Sequence, residues 1–598
     1  MATRNTLKDL VGFGRPFLTI AGGYWSGPGT LRVRLLALAL AVLTVGQVIV
    51  PILINLWSER LFDALEQRSM DRFLIMIGAV FGIIAFNVAV MVAHLRVKRT
   101  LQLGWREWLT HKLLAEWLAD GRQHQVTHLP GHHDNPDGRV AEDVRIATEY
   151  AIDLAHSLGF CVLLLLSFSN ILWMLSGTAV VTVAGITVAV PGYLLHIALL
   201  YAAAGTTIAL VVGQPLVRAA DRRQGNEADF RFGLARIRDH ALPIALLHGE
   251  TGERARLMGL FRGVRHAWDR QTGALANVML FSASYSVLSM AVPILVAAPS
   301  YIAGAITLGV LMQTAQAFQQ AVAALSWPID NLPRVAEWKA SVERVLGLHD
   351  ALARLDQEAD GGDAGRILVD RTGTGTALSF HDVTLTEADG RPVIERFSAD
   401  IRPGQRVLIT GDARAATRLF RAVAGVWPWG AGRIALPART RMFFMPERPY
   451  LPHGPLRAAL SYPGAPETVD GDAACRALDR VGLHQLCARL DDDERWDEAL
   501  GLAEQQRLGF ARLLIRRPEW IFVEDAGNAL DPAGEEDMMR LLDEEFPAAT
   551  LLTIGSNAKQ AEHHTHRLVL DRACGPARLQ GLETTASASR AAQERGPK

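Results

Sequence analysis

Apolar positions are unevenly spread along this chain. They gather in six long stretches before residue 330 and thin to strand- and helix-length runs after about 340. The stretches cover approximately 35–57, 74–95, 154–175, 190–213, 275–297 and 302–325, each close to the ~20 mostly apolar residues that cross a ~30 Å hydrocarbon core. The pattern predicts six transmembrane helices. The sixth is less apolar, because Gln313, Gln316, Gln319 and Gln320 interrupt it. Gln313, Gln316 and Gln320 recur at helical spacing and share one face. Such a face lines a polar path or makes interhelical hydrogen bonds, and the pattern leaves both open.

The connections set the orientation. The first 34 residues carry Arg4, Lys8, Arg15, Arg32 and Arg34, the 96–123 segment carries Arg96, Lys98, Arg99, Arg106, Lys112 and Arg122, and 214–272 is rich in arginine. The connections near 177–189 and 298–301 have no charge. Positive segments stay cytoplasmic, which places both termini and both long loops inside and the 58–72 connection outside. No apolar stretch precedes a small-residue cleavage site, so no cleavable signal peptide is expected. Segments 97–120 and 218–265 keep helical periodicity, so the spans are expected to continue as long helices into the cytoplasm.

Composition narrows the class. Among 598 residues, Lys plus Arg total 61 against 62 for Asp plus Glu, and this balance excludes the basic excess of a nucleic-acid-binding protein. The four cysteines, Cys161, Cys475, Cys487 and Cys574, are too scattered for a disulfide scaffold or a CxxC metal site. His124, His128, His132, His133, Asp134 and Asp137 crowd one stretch, but a Pro-Gly turn scatters them. No metal site is expected there; Asn135 caps a helix with Pro136 in its first turn. His94 and His196 lie in or near spans and are candidate transport residues. Glu59, Asp63, Glu149 and Asp153 lie near span ends, where snorkelling is the plainer reading for the first two.

Four regions follow: a membrane region over 1–335, a linker over 336–376 containing ADGGDAG, a soluble α/β domain over 377–570, and a disordered tail over 571–598. In the soluble domain, strand QRVLITG (405–411) leads through GDARAATR (411–418) into a helical run. Strand, turn and helix in that order is where a phosphate-binding loop, GxxxxGK[ST], belongs. Gly411 remains. With Thr417 in the hydroxyl position, Ala416 replaces the lysine and the loop is one residue short. Arg414 or Arg418 is left to supply charge.

Landmarks follow in sequence: FRAVAGVWPWGAGRI (420–434), FFMPERPYLPHGPLRAALSYP, WDEALGLAEQQRLGFARLLIRRPEWIFVEDAGNALD and TLLTIGSN. With DNPDGRVAEDVR, EADFRFGLARIRDHALPIALLHGE and LSWPIDNLPRVAEWKASVERVLGL in the membrane region, the chain resembles a half-transporter of the ABC exporter fold. It is most similar to the SbmA/BacA-like group and the related peroxisomal fatty-acyl transporters. The resemblance covers about residues 10–570 and implies six helical spans followed by a P-loop-type ATP-binding cassette using ATP and Mg2+. It also implies a dimer in a bilayer, here the bacterial inner membrane, moving peptides, cobalamin-like or acyl compounds by alternating access.

Carried onto this chain, the resemblance implies ATP-site positions that depart from the family pattern. Glu447 stands at the Q-loop glutamine. The signature reads LGLAE, with Gly501 for serine, Ala503 for the second glycine, and Glu504 retained in this group's form. Glu524 stands at the magnesium aspartate, Asp525 at the catalytic glutamate and Ser556 at the switch histidine, while the D-loop NALD keeps Asp531. Hydrolysis of a phosphoanhydride depends on positioning and electrostatics, and these are altered together. The expectation is a cassette that keeps its fold with impaired or absent hydrolysis. Two alternatives stand beside an ordinary ATP-driven transporter: a proton-coupled carrier with a structural cassette, and a regulatory subunit paired with an intact half-transporter.

Overall fold

The computed structural model describes residues 21–27, 29–129, 135–183, 186–360, 365–370, 375–437, 442–555, 559–570 and 578–582. The chain divides into two compact units, Met1–Leu113 with Asn135–Leu346, and Leu114–Asp134 with Gly347–Lys598.

The first unit is a helical bundle of α1 (Leu31–Glu66), α2 (Met70–Leu118), α3 (Val144–Ser176), α4 (Tyr193–Asp239), α5 (Ala241–Leu246), α6 (Glu250–Ile302), α7 (Leu308–Leu325) and α8 (Trp327–Asp360). Five helical runs, Leu31–Glu66, Met70–His128, Pro136–Ser176, Tyr193–Asp239 and Glu250–Ile302, are long and apolar enough to cross a membrane. The sixth expected span forms α7 but is not among the five. Its glutamines lower its apolarity, and its small residues suit it to the bundle interior: Ala317, Phe318 and Ala321 are fully buried against Val48, Leu164, Phe168 and Ala198. The outer surface is apolar instead, with Met174, Leu200, Leu280 and Leu295 all more than 70% exposed. Lipid replaces water as the solvent for that surface.

Carboxylates on α1 fix the start of α7. Gly309 N–H donates to Asp63 Oδ1 at 3.0 Å and Leu308 N–H to Glu66 Oε2 at 2.9 Å. These satisfy orphan donors of the first turn and place negative charge at the positive end of the helix. Asp63 therefore caps a helix rather than merely snorkelling. The uncharged 177–189 connection is an antiparallel hairpin, β1 (Thr178–Val183) with β2 (Ile186–Pro191). The linker expected from 336 is helical through Asp360, because Val342, Val345, Leu348, Leu352 and Leu355 are buried at helical spacing.

The second unit has two sheets. The first has order β3 (Leu368–Asp370), β7 (Gly430–Ala435), β4 (Leu378–Thr386), β5 (Pro392–Ile401). The second has six strands in the order β12 (Arg578–Gly581), β11 (His566–Leu570), β6 (Arg406–Gly411), β10 (Thr550–Ile554), β9 (Trp520–Glu524), β8 (Met442–Met445), parallel except for β11–β12. Runs such as Ile521–Val523 and Leu551–Ile554 are continuously buried, as parallel strands covered on both faces must be. Helices α9 (Ala413–Val423), α10 (Gly471–Arg480), α11 (Leu502–Arg516) and α12 (Pro532–Glu545) complete the unit. One core holds Phe380, Phe420, Trp427 and Phe522, and another holds Trp496, Phe510 and Leu542. Cysteine spacing gave no disulfide scaffold, yet α10 and the turn after it bring the Cα atoms of Cys475 and Cys487 to 5.2 Å and the pair is joined.

Trp496 is fully buried, and its indole N–H donates to the Gly454 carbonyl at 2.9 Å. Trp496→Ala is expected to destabilise this unit by about 3–5 kcal/mol. Thermal unfolding of the purified protein checks this; an unchanged midpoint would contradict the packing.

Candidate functional site

The site begins where β6 ends. Gly411 has φ +113°, and an added Cβ would collide with the Leu570 carbonyl of β11, so only glycine fits. The next N–H, of Asp412, donates to that carbonyl at 2.7 Å. Helix α9 starts at Ala413, so a single residue makes the turn. Asp412 is its N-cap: its carboxylate accepts from Arg414 N–H at 2.8 Å and Ala415 N–H at 3.3 Å. A phosphate loop presents these first-turn N–H groups to its ligand. Here an internal anion takes them.

The residues around that turn follow from it. Ala416 is buried and carries no charge. Thr417 donates a side-chain hydrogen bond to Glu524 at the end of β9. Arg418 is turned elsewhere, its guanidinium 3.8 Å from the Trp427 ring centroid and 3.1 Å from Glu387 Oε2. Arg414 is exposed. Asp525 has φ +45°. Burial pushes the Glu524 carboxyl up, against the Thr417 hydrogen bond and Arg421, and Asp525 and Glu447 push it further. Burial also raises Asp525, with Glu447 adding to it. Three carboxyls, of Glu447, Glu524 and Asp525, thus act on one another at the end of β9.

Glu447 is held by the turn after β9. Its Oε1 accepts from Asn528 Nδ2 at 2.9 Å and its backbone carbonyl accepts from the fully buried Gln506 at 3.0 Å. Gln506 also donates to Asn528 Oδ1 at 2.8 Å and accepts from Ala529 N–H at 3.2 Å. Asp531 caps α12 through Gly534 N–H at 3.1 Å. The signature turn is separately closed: Gly501 N–H donates to Glu504 Oε2 at 2.9 Å, opening α11 at Leu502, with Ala503 in its first turn. Ser556, His132, His133 and Asp134 lie outside the described residues. The later His564 does not substitute for a switch residue: it is buried, bonded to Thr553 Oγ1 at 3.0 Å and to the Gln560 carbonyl.

The first-turn donors of α9 are taken up by Asp412, and among the described residues no lysine is bonded there; a charge-assisted bond of that kind contributes about 1.5–3 kcal/mol. Asp412 was legible in retrospect as an Asx residue before a helical run. The fit between His128 and the Trp427 and Trp429 rings, with centroids 5.0 and 5.9 Å away, was not.

In the membrane unit Gln313 is buried and its backbone carbonyl accepts from Asn55 Nδ2 at 2.9 Å. Gln316 and Gln320 lie on the same helix, half-buried. The side-chain oxygens of Gln313 and Gln316 are buried with no hydrogen-bond partner among the described residues. His94 is buried with its ring 4.1 Å from that of His156, a residue the sequence reading passed over. His156 Nε2 lies 3.1 Å from Gln47 Oε1. On the next turns, Asp153 Oδ1 takes Lys98 at 3.2 Å and Gln102 at 2.8 Å. His196 stands apart, its Nδ1 3.0 Å from the Gly192 carbonyl.

Comparison with known proteins accords with this architecture. Residues 28–302 match the model of ABC transporter transmembrane region 2. An uncharacterized ABC transporter ATP-binding protein of Synechocystis, sll0182, is 30% identical over 500 residues, 81% of this chain and 72% of that protein. The Escherichia coli inner membrane ABC transporter ATP-binding protein YddA is 27% identical over 553 residues, 92% of this chain and 95% of that one. The chloroplastic ABC transporter D family member 2 of Arabidopsis thaliana is 27% identical over 630 residues, covering 94% and 86%. A solved bacterial ABC exporter of the Atm1 family with ATP bound superposes with a TM-score of 0.66 at 16% identity, covering 94% of this chain and all of that one. The chain belongs to the ABC transporter family. Within it, the protein is a half-transporter with the exporter fold, related to the D-family transporters.

Burial lowers the His564 pKa to about 4. Above pH 6.5 the ring is neutral in both folded and unfolded chains. As pH falls, the unfolded chain takes up a proton that the folded one refuses. Stability is therefore expected to fall between about pH 6.5 and 4, by about 3 kcal/mol at most. Comparing unfolding midpoints of the wild type and His564→Asn across that range checks it: the variant's curve is flatter if His564 carries the effect.

Proposed function

We propose that the protein is an SbmA/BacA-like inner-membrane transporter that works as a dimer by alternating access, with a cassette that no longer hydrolyses ATP. Six spans carry the cargo path, α7 being the sixth and least apolar. The cargo class is peptides, cobalamin-like or acyl compounds. Its parts are the membrane region (1–335), a connecting segment (336–376) that is helical through Asp360, and the cassette (377–570), whose sheet is extended by β12. Gln313, Gln316 and Gln320 contribute polar groups to the interior of the bundle.

The observation that carries the reading is the Asp412 carboxylate on the N–H groups of Arg414 and Ala415. A bound phosphate would have to displace it and then meet Glu447, Glu524 and Asp525. At a separation of 4 Å, two unit charges repel by about 4 kcal/mol at an effective dielectric of 20. The cassette's remaining value is structural: its folded core, the Glu447–Asn528–Gln506 network and the Asp531 cap hold a surface for dimerisation and coupling.

A second reading draws on the His94–His156 pair. Two imidazoles in contact, with Gln47 beside them and Lys98 and Asp153 one turn away, form a titratable group among apolar helices. Intramembrane ionisable groups of this kind serve proton relays. In this reading a proton gradient drives transport and the cassette is a dimeriser.

The test is nucleotide binding and hydrolysis by the purified full-length protein in lipid, beside Asp525→Asn. The expected outcome is no saturable ATP binding in the millimolar range and the same background hydrolysis in both proteins. Hydrolysis that disappears in Asp525→Asn would overturn the proposal and restore an ordinary ATP-driven transporter.

A further inference from the structure

Helices α4 and α6 run side by side and enclose a groove of about 690 Å3 that the transport reading leaves unused. Arg218 and Arg222 from α4 and His266 and Arg270 from α6 line it, together with one acidic residue of the lining, Asp229. The floor is made of small residues, Ala219, Gly225, Gly263 and Ala267. Asn226 Nδ2 ties the two helices there by donating to the Gly263 carbonyl at 3.2 Å. Arg223 points away, paired with Glu227 at 3.3 Å and 4.8 Å from the Trp268 ring centroid. Among the described residues, Arg218, Arg222 and Arg270 form no such ion pair. Three guanidinium groups therefore face one carboxylate in an open groove.

Its depth along the helices is informative. The apolar stretches end at 213 on α4 and begin at 275 on α6, so Arg218 and Arg270 each lie five residues beyond an apolar end. At 1.5 Å per residue that is about 7.5 Å, the depth of the headgroup layer. On the membrane side of the basic residues the two helices carry exposed apolar side chains: Val211, Val217, Met279 and Leu280 are each more than half exposed. The pattern is that of a ligand with an anionic head and apolar tails.

We infer that this groove is a binding site for the phosphodiester headgroup of an anionic phospholipid of the cytoplasmic leaflet. The arginines hold the phosphate oxygens through charge-assisted hydrogen bonds, and Arg is suited to bidentate contact. The acyl chains lie along Val211, Val217, Met279 and Leu280. Basic pockets between membrane helices on the cytoplasmic side select acidic headgroups in this way. The inference rests on the membrane orientation used above, but not on the cargo or on the state of the cassette.

The experiment uses the purified full-length protein in detergent, with lipid retention read by native mass spectrometry. Phosphatidylglycerol is compared with phosphatidylcholine carrying the same chains, and inorganic phosphate is titrated against both. Each arginine near an anionic lipid contributes about fivefold in affinity, so Arg222→Gln with Arg270→Gln is expected to weaken phosphatidylglycerol retention roughly 25-fold and leave phosphatidylcholine unchanged. Arg231→Gln with Arg265→Gln, in the neighbouring groove, is the charge-matched control and is expected to keep full retention. Should the double variant misfold, Arg222→Gln alone is read for its fivefold loss. Equal retention of both lipids, or an equal loss in the control, would overturn the site. Complete displacement by millimolar inorganic phosphate would overturn the lipid assignment and make a soluble phosphate the ligand. None of these readouts involves ATP or transport, so they stand apart from the test of the cassette.

Discussion

One residue separates β6 from α9, and the chemistry of the soluble unit depends on how that residue satisfies the first turn of the helix. A helix N-terminus with unpaired N–H groups demands an acceptor. In a phosphate loop, a longer glycine-rich turn holds these donors open for a ligand. Here the turn is too short to curl, Gly411 is pressed against the Leu570 carbonyl, and the Asp412 carboxylate serves as acceptor. The position at which the motif would carry a lysine is Ala416, which is buried in the core.

The rest of the unit is ordinary in its physics. Parallel strands are buried on both faces, Trp427 and Trp496 fill the largest core positions, and the turns after β8 and β9 are stitched by Gln506 and Asn528. A fold of this kind does not depend on a ligand, because the apolar cores and backbone ladders that stabilise it do not pass through a ligand site. Burial raises the carboxyls of Glu524 and Asp525, with Glu447 adding to both, and Glu447 Oε1 accepts from Asn528.

The membrane unit reverses the usual arrangement of polar and apolar surface. Lipid offers no hydrogen bonds, so polar groups turn inward and find partners on neighbouring helices. Asp63 and Glu66 cap α7 across the bundle, Asn55 reaches the Gln313 carbonyl, and Asp153 gathers Lys98 and Gln102. Arg218, Arg222 and Arg270 on α4 and α6 are different: they sit outside the apolar stretches and line a groove.

Hydropathy alone located five of the helices that can cross a membrane, because ~20 apolar residues in a row have few other uses. It also found the helical run of α7 and the glutamine face on it. The order of strand, turn and helix located the soluble site, and the missing lysine was visible letter by letter. What the sequence did not determine was which groups meet. Asp63 reads as a residue at a span end, yet it caps a helix 246 positions later in the chain. His156 carries no mark in the sequence until α3 brings it against His94. Asp412 precedes a helical run as a cap residue does, but only the one-residue turn shows that its carboxylate takes the first-turn donors. Periodicity is a local property and survives in the sequence; hydrogen-bond partnership depends on distances of a few ångströms between remote segments, and only packing sets those.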